Sequence, residues 1–61
     1  MDDAPHTVGG VAELYLGNIL YAIEVAAMSL DELQKPDDAA FYRAIARKLA
    51  QARGRERESA R

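Results

Sequence analysis

The side chains that most often carry out chemistry are few in this sequence, and their spacing does not suit it. The chain contains one histidine, His6, and no cysteine, so clusters of these residues cannot form a metal site. Glu13 and Glu24 stand eleven residues apart, which is about 16 Å along a helix and exceeds the ~5–9.5 Å between paired glycosidase carboxylates. No serine or threonine has a histidine nearby in a rigid segment to act as its base. We therefore expect no catalytic residue, no bound metal and no cofactor, and predict that the protein is not an enzyme.

The length of the chain also argues against an enzyme, and it means that the chain needs a further source of stability beyond its own core. At 61 residues and 6.7 kDa, a domain buries only about 60% of its unfolded surface. Chains below roughly 70–80 residues usually rely on disulfides, a metal or oligomerisation, and the first two are excluded here. A composition of 49% hydrophobic and 30% charged residues indicates a globular chain. Self-association or a protein partner is the remaining source of stability.

The N-terminal half is apolar, but its charges argue against a membrane. The chain begins with a methionine and two aspartates, which is the opposite of the basic start of a signal peptide. The apolar stretch 8–30 contains Glu13 and Glu24, and each carboxylate would cost about 2.5–3.5 kcal/mol near the centre of a bilayer. We expect a soluble cytoplasmic protein with no membrane partner, and its frequent alanine and arginine suggest a bacterial source.

The first predicted helix carries apolar residues on two sides. Seven residues at alternating spacings of four and three form the a/d seam of a helix that packs lengthwise on another. The seam is Ala12, Leu16, Ile19, Ile23, Ala26, Leu30 and Leu33, and a second apolar row is Leu14, Tyr21, Val25 and Met28. Asn18 interrupts the second row, either to fix the register of an interface or as a solvent-exposed residue at its edge. Because a helix with two apolar sides is normally buried on both, one partner helix cannot cover it.

The chain divides into two predicted helices and their flanks. The segments are a flexible tail at residues 1–7, a helix at about 8–34, a turn at 35–37, a helix at about 38–53 and a charged tail at 55–61. Pro36 cannot continue the first helix, and Asp37 or Asp38 is expected to cap the second. Gly54 is the expected C-terminal stop of the second helix.

These patterns predict an all-α protein, a two-helix antiparallel hairpin that closes as a homodimeric four-helix bundle. The second helix has an apolar stripe of Phe41, Tyr42, Ile45, Leu49 and Ala52. Arg43 and Arg47 lie on its opposite, solvent-facing side. The expected assembly interface is Leu16, Ile19, Ile23, Ala26, Leu30, Leu33, Tyr21 and Met28. Glu13 and Glu24 are expected to form salt bridges with Arg or Lys of a neighbouring helix.

The charge is divided unevenly between the two halves of the chain. Residues 1–36 hold six acidic residues and one basic residue, a net of −5, whereas residues 37–61 hold seven basic and four acidic residues, a net of +3. This division suits either the pairing of antiparallel helices of opposite charge or a basic surface for phosphates. A pI near 5.2 and the lack of aromatic residues interleaved with the arginines disfavour a nucleic-acid surface.

The function predicted from these features is recognition rather than catalysis. We expect a small non-enzymatic protein–protein interaction module, a homodimeric regulator or adaptor that acts by helix packing with itself and with a protein partner. The residues expected to contact the partner are Tyr42, Arg43, Arg47, Arg53 and Arg55. Two alternatives stay open: an RNA- or DNA-binding regulator that uses the arginine-rich second helix, and a small accessory subunit of a larger enzyme.

Overall fold

The computed structural model describes residues 6–59, and this part of the chain is helical outside its turns. Three helices follow one another: α1 is Val8–Leu14, α2 is Leu16–Glu32 and α3 is Pro36–Ser59. No strand occurs within residues 6–59, so the all-α prediction is confirmed. Most of the predicted N-terminal tail, residues 1–5, and the last two residues of the predicted C-terminal tail lie outside the described residues.

The long first helix expected over residues 8–34 is divided by a sharp bend at Tyr15. The Thr7 side chain accepts a hydrogen bond from the Gly10 backbone N–H at 2.9 Å, which caps the start of α1. The axes of α1 and α2 are then inclined at 83°. Gly17 stands in the first turn of α2, where a glycine lowers helix stability by about 1 kcal/mol relative to alanine. The apolar periodicity runs through Tyr15 without interruption, so it could not reveal this bend.

The bend separates α1 from both apolar rows of α2. Ala12 lies on α1, so the seam of α2 begins at Leu16. Leu14 also lies on α1, and it therefore leaves the row that contains Tyr21. Within residues 6–59 no single helix has both the length and the apolarity to cross a membrane, and α1 and α2 meet that criterion only when taken together across their bend.

α2 ends in a Schellman motif. Gln34 has a φ of 65°, in the left-handed region, and its N–H donates to the Asp31 carbonyl at 3.0 Å. The Lys35 N–H donates to the Leu30 carbonyl at 2.8 Å. These bonds satisfy two carbonyls that the end of a helix would otherwise leave without a partner. The turn therefore comprises residues 33–35, two residues earlier than the turn that the sequence predicts.

Pro36 begins α3 instead of lying within the turn. Proline suits the first helical position because its fixed φ is helical and because an N–H there would have no intrahelical partner. Asp37 and Asp38, predicted as alternative caps, lie instead in the first turn of α3. Their carboxylates still complement the positive end of the helix dipole.

The sequence suggested that the second helix stops at Gly54, but α3 continues to Ser59. Among the described glycines none has a positive φ, so Gly54 does not adopt the left-handed conformation that ends a helix. A single helical glycine costs only about 1 kcal/mol, which is not enough to end a long helix. One residue earlier, Arg53 forms an ion pair with Glu13 of α1, which ties this part of α3 to the rest of the chain.

Replacing Gly54 by alanine is expected to stabilise the protein by up to about 1 kcal/mol, because alanine has the higher helix propensity. Nothing outside the local helix backbone lies within 4 Å of the added Cβ, so the substitution creates no clash. Urea denaturation followed by circular dichroism measures the change. The reciprocal control is Ala50→Gly, one turn earlier on the exposed side of α3, which is expected to lose a similar amount. A stability loss in Gly54→Ala would show that helical geometry at Gly54 is wrong.

Candidate interaction surfaces

Ion pairs of Arg43 run along one edge of the contact between α2 and α3, and an ion pair of Arg53 joins α3 to α1. Arg43 lies 2.9 Å from the Asp31 carboxylate and 3.6 Å from the Glu24 carboxylate. Arg53 pairs with Glu13. α3 is therefore tied to α2 through Arg43 and to α1 through Arg53. The salt bridges expected for Glu13 and Glu24 are confirmed, whereas Asp31 is a partner that the sequence did not reveal.

The sequence predicted that Arg43 faces solvent, whereas in the structure it does not do so on its own. Its side chain is 35% exposed and lies against two carboxylates. The hydrogen bond with Asp31 is the main cause that raises the pKa of Arg43 above its usual value, with smaller Coulombic contributions from Asp31 and Glu24, while desolvation acts in the opposite direction. Arg43 and Arg53 are thus neutralised within the chain, and Arg47 and Arg55 remain exposed.

Removal of the Arg43 guanidinium is expected to lower the urea midpoint of unfolding, because Asp31 and Glu24 then lose their shared counter-charge. The matched control is Arg47→Gln, since Arg47 lies one turn away on α3 and is exposed. We expect Arg43→Gln to be the less stable of the two variants in low salt. The difference should shrink in 1 M salt, where the Debye length is about 3 Å. Equal midpoints at both salt concentrations would contradict a role for these ion pairs in holding α2 against α3.

The contact between α2 and α3 is lined by small side chains. Within the described residues the buried apolar side chains are Ala27 and Ala39, both with no exposed surface. Ala27 lies on α2 and Ala39 on α3, the two helices that pack on each other. Because the distance between packed helices depends on the side chains at their contact, two alanines allow a close approach. Larger side chains flank the alanines in this contact: Leu16, Leu20 and Ile23 lie within about 40° of Ala27 at about 100° per residue and are half-buried.

Most of the large apolar side chains are exposed. They are Val8, Val11, Leu14, Tyr15, Tyr21, Val25, Met28, Leu33, Phe41, Tyr42 and Ile45, with exposed fractions between 37% and 88%. The chain has 5033 Å² of accessible surface, about 1100 Å² more than the roughly 3900 Å² expected of a compact monomer of this mass. Its radius of gyration is 14.1 Å, compared with about 10.5 Å expected for a compact chain of this length. The described residues therefore bury little apolar surface among themselves.

One side of the α2–α3 pair is apolar along its length. At about 100° per residue, Ile19, Ala26 and Leu30 lie on the side of the Ala27 contact opposite to the Glu24 and Asp31 carboxylates. By the same periodicity, the apolar stripe of α3 lies on the side of Ala39 opposite to Arg43. We call this surface the apolar face. It comprises Leu16, Ile19, Ile23, Ala26, Leu30 and Leu33 from the α2 segment and Tyr42, Ile45 and Leu49 from α3.

A second exposed apolar surface lies on the far side of α2. Tyr21, Val25 and Met28 are 74%, 44% and 51% exposed, and they project beyond the edge that carries the ion pairs. We call these three residues the outer row. The interface predicted from the sequence is thus divided, because Tyr21 and Met28 lie in the outer row while its other six members lie on the apolar face. Asn18 is exposed next to the outer row, which agrees with the solvent-exposed alternative for this residue.

The described residues offer little to a small ligand or a metal. Within residues 6–59, no group of three or more His, Cys, Asp or Glu side chains could hold a metal ion. A depression between α1 and α3, bordered by the Glu13–Arg53 ion pair, has a volume of about 200 Å³, which is below the ~300–1000 Å³ of typical ligand pockets. A larger, open one of about 420 Å³ lies at the start of α1 and includes Val8, Val11 and Ile19. Its lining combines four apolar residues with two polar ones, His6 and Thr7.

The geometry therefore points to two surfaces, the apolar face and the outer row, and to a surplus of exposed apolar area. Tyr42 lies on the apolar face, and its ring meets that of Phe41 edge to face with centroids 6.1 Å apart. Arg47 and Arg55 lie away from it on exposed positions of α3. Comparisons of the chain with protein-family models, with curated proteins and with solved structures gave no match.

Proposed function

We propose that this protein is a small non-enzymatic protein–protein interaction module, a regulator or adaptor that works as a homodimer. Two copies would pair their apolar faces, and the two antiparallel α2–α3 hairpins would form a four-helix bundle. The observation that carries this proposal is the combination of a continuous apolar face with a contact in which Ala27 and Ala39 are the buried apolar side chains.

The available area supports a second copy as the occupant of the apolar face. A standard protein–protein interface buries about 800 Å² per partner, and the chain exposes roughly 1100 Å² more than a compact monomer of its mass. Pairing by a two-fold axis would cover the same surface on both copies at once, which is the commonest arrangement among homo-oligomers. The ion pairs of Arg43 lie on the side opposite to this face and would not need to be broken. The ion pair of Arg53 with Glu13 borders Leu16 and Leu49 at one end of the face.

Thermal unfolding at several protein concentrations tests the proposal without any substitution. A dimer that unfolds to separate chains has a Tm that rises with concentration by mass action. We expect a clear rise over an approximately 100-fold range of concentration, from micromolar upwards. A Tm that does not change over this range would mean that a monomer accounts for the stability of the fold and would contradict the proposal.

A second candidate function is the binding of RNA or DNA through α3. Its support is that Arg47, Lys48 and Arg55 are exposed, and a dimer would present them twice. The pairing of Arg43 and Arg53 with carboxylates reduces the basic surface available to phosphates. Filter binding at low salt tests this candidate: strong salt dependence that weakens in Arg47→Ala and Arg55→Ala would support it, and no retention at low salt would exclude it.

A role as an accessory subunit of a larger enzyme is the third candidate. In that case another chain, rather than a second copy, would cover the apolar face. Sedimentation of the purified chain separates this role from the first, because a subunit that needs a larger chain would stay monomeric or aggregate when isolated.

A further inference from the structure

The outer row is left uncovered both by the packing within the chain and by the proposed dimer. We propose that the outer row of α2 binds a basic amphipathic helix of a partner protein. The inference rests on the proposed function in one respect: pairing of the apolar faces would occupy the other exposed apolar surface and leave the outer row as the surface for a different protein.

The spacing and types of the three side chains fit a helix as the occupant. Tyr21, Val25 and Met28 stand at positions i, i+4 and i+7, which is the pattern by which one helix lies along the apolar side of another. Tyrosine and methionine are enriched in the cores of protein–protein interfaces. Methionine in particular adapts its shape to a partner because its side chain is unbranched and flexible. All three side chains are at least 44% exposed, so no rearrangement is needed to reach them.

The charges around the outer row specify a basic partner. Glu24 and Asp31 lie along one edge, with side chains 55% and 45% exposed, and the exposed Glu32 continues the row one turn beyond Met28. Arg43 pairs with Glu24 and Asp31. Counted with Arg43 and with the exposed Lys35, which follows Glu32 by three residues, the three carboxylates leave a local net charge of −1. Residues 8–32, which form α1 and α2, contain no lysine or arginine. A helix with lysine or arginine beside its apolar positions would find complementary charge here.

A second copy of the chain does not fit the outer row. Two outer rows facing each other would oppose their acidic edges, and like charges across an interface are unfavourable. The basic side of α3 in another copy carries Arg47, Lys48 and Arg55 and offers Phe41 as its one large exposed apolar side chain, which cannot meet Tyr21 and Met28 together. Such a contact would also be heterologous and would not close on itself.

The probe for this proposal is a model helical peptide of leucine and lysine, with leucines at i, i+4 and i+7. A matched peptide with glutamate in place of lysine is the control for charge. Isothermal titration calorimetry with the full chain is expected to show binding of the lysine peptide that weakens as salt rises, and no binding of the glutamate peptide. Equal binding of both peptides would overturn the proposed basic partner.

Variants of the chain locate the bound peptide. Met28→Ser with Tyr21→Ser is expected to weaken binding by about tenfold or more, as the loss of central interface anchors usually does. Glu32→Gln should weaken it less and reduce its salt dependence. Gln51→Ser, at an exposed position of α3 outside both apolar surfaces, should leave it unchanged. Undiminished binding by the Met28 and Tyr21 variant, with its helical circular dichroism intact, would overturn the proposal.

Sedimentation of the same samples separates this inference from the proposed dimer. If the chain is a monomer and the Met28 and Tyr21 variant still loses the peptide, the proposed dimer is wrong and the outer-row site stands. If the peptide instead binds through Ile45, the apolar face is the partner site and the outer-row proposal is wrong.

Discussion

Ile45→Asp is expected to abolish the dimer. Ile45 lies on the apolar face of α3 and is 37% exposed within one chain, so an aspartate there remains accessible to water while the chain is alone. In the dimer the same carboxylate would be buried without a partner. The cost of burying an unpaired charge is expected to raise the dissociation constant by at least about 100-fold. Sedimentation velocity gives the mass, and far-UV circular dichroism gives the helix content that remains after the chains separate.

Val25→Asp is the matched control for this substitution. Val25 is also a β-branched residue within a helix and is 44% exposed, but it lies in the outer row on the other side of α2. The two substitutions introduce the same charge and lose similar helix propensity, so only their positions differ. We expect Val25→Asp to remain a dimer. Dissociation of both variants, or of neither, would contradict pairing through the apolar face.

The second large effect is expected at the close contact between α2 and α3. Ala27→Leu places a larger side chain where Ala27 has no exposed surface. Overfilling a packed contact costs typically about 1–3 kcal/mol, because the helices must separate or the side chain must leave its preferred rotamer. Urea denaturation of wild type and variant at one protein concentration measures the loss in the free energy of unfolding.

Ala22→Leu provides the comparison for Ala27→Leu. Ala22 is in the same helix and is exposed, and leucine and alanine have similar helix propensities. Its substitution is expected to change stability by only about 0.5 kcal/mol in either direction. A loss at Ala27 no greater than the change at Ala22 would show that the two helices do not approach closely at this point.

The helical character of the chain could be predicted from its sequence, but the ends of the helices could not. The bend at Tyr15 is invisible to periodicity because Ala12, Leu16 and Ile19 keep their spacing through it. The sequence does not show the contact that the bend permits, an ion pair between Glu13 of α1 and Arg53 of α3. Such a pairing joins residues forty positions apart, and only the folded chain brings them together.

The end of α2 shows a different limit of sequence reasoning. A glycine normally marks the left-handed residue that ends a helix, and the chain has a suitable glycine at Gly54. At the end of α2 the left-handed residue is Gln34, two residues before Pro36, from which the sequence predicted the end of this helix. Gly54 remains helical because nothing of this kind follows it. The signal that ends the helix was therefore the proline, and the glycine was misleading.

The candidate interface could be predicted in composition but not in arrangement. The spacing alone predicts the seam residues Leu16 to Leu33, and it predicts the row through Tyr21 and Met28 as a separate set. Which of the two sides α3 covers depends on where the helices touch. The contact lies at Ala27 and Ala39, residues too small to stand out in a hydrophobic pattern. Their position leaves part of the seam on the apolar face and places the outer row beyond the ion pairs.

The central claim is that the apolar face is covered by a second copy of the chain. Sedimentation equilibrium of the wild-type protein at micromolar concentration tests it most directly, because the method gives mass independently of shape. The expected result is a species of twice 6.7 kDa that keeps its helical circular dichroism. A folded species of 6.7 kDa at the same concentration would contradict it.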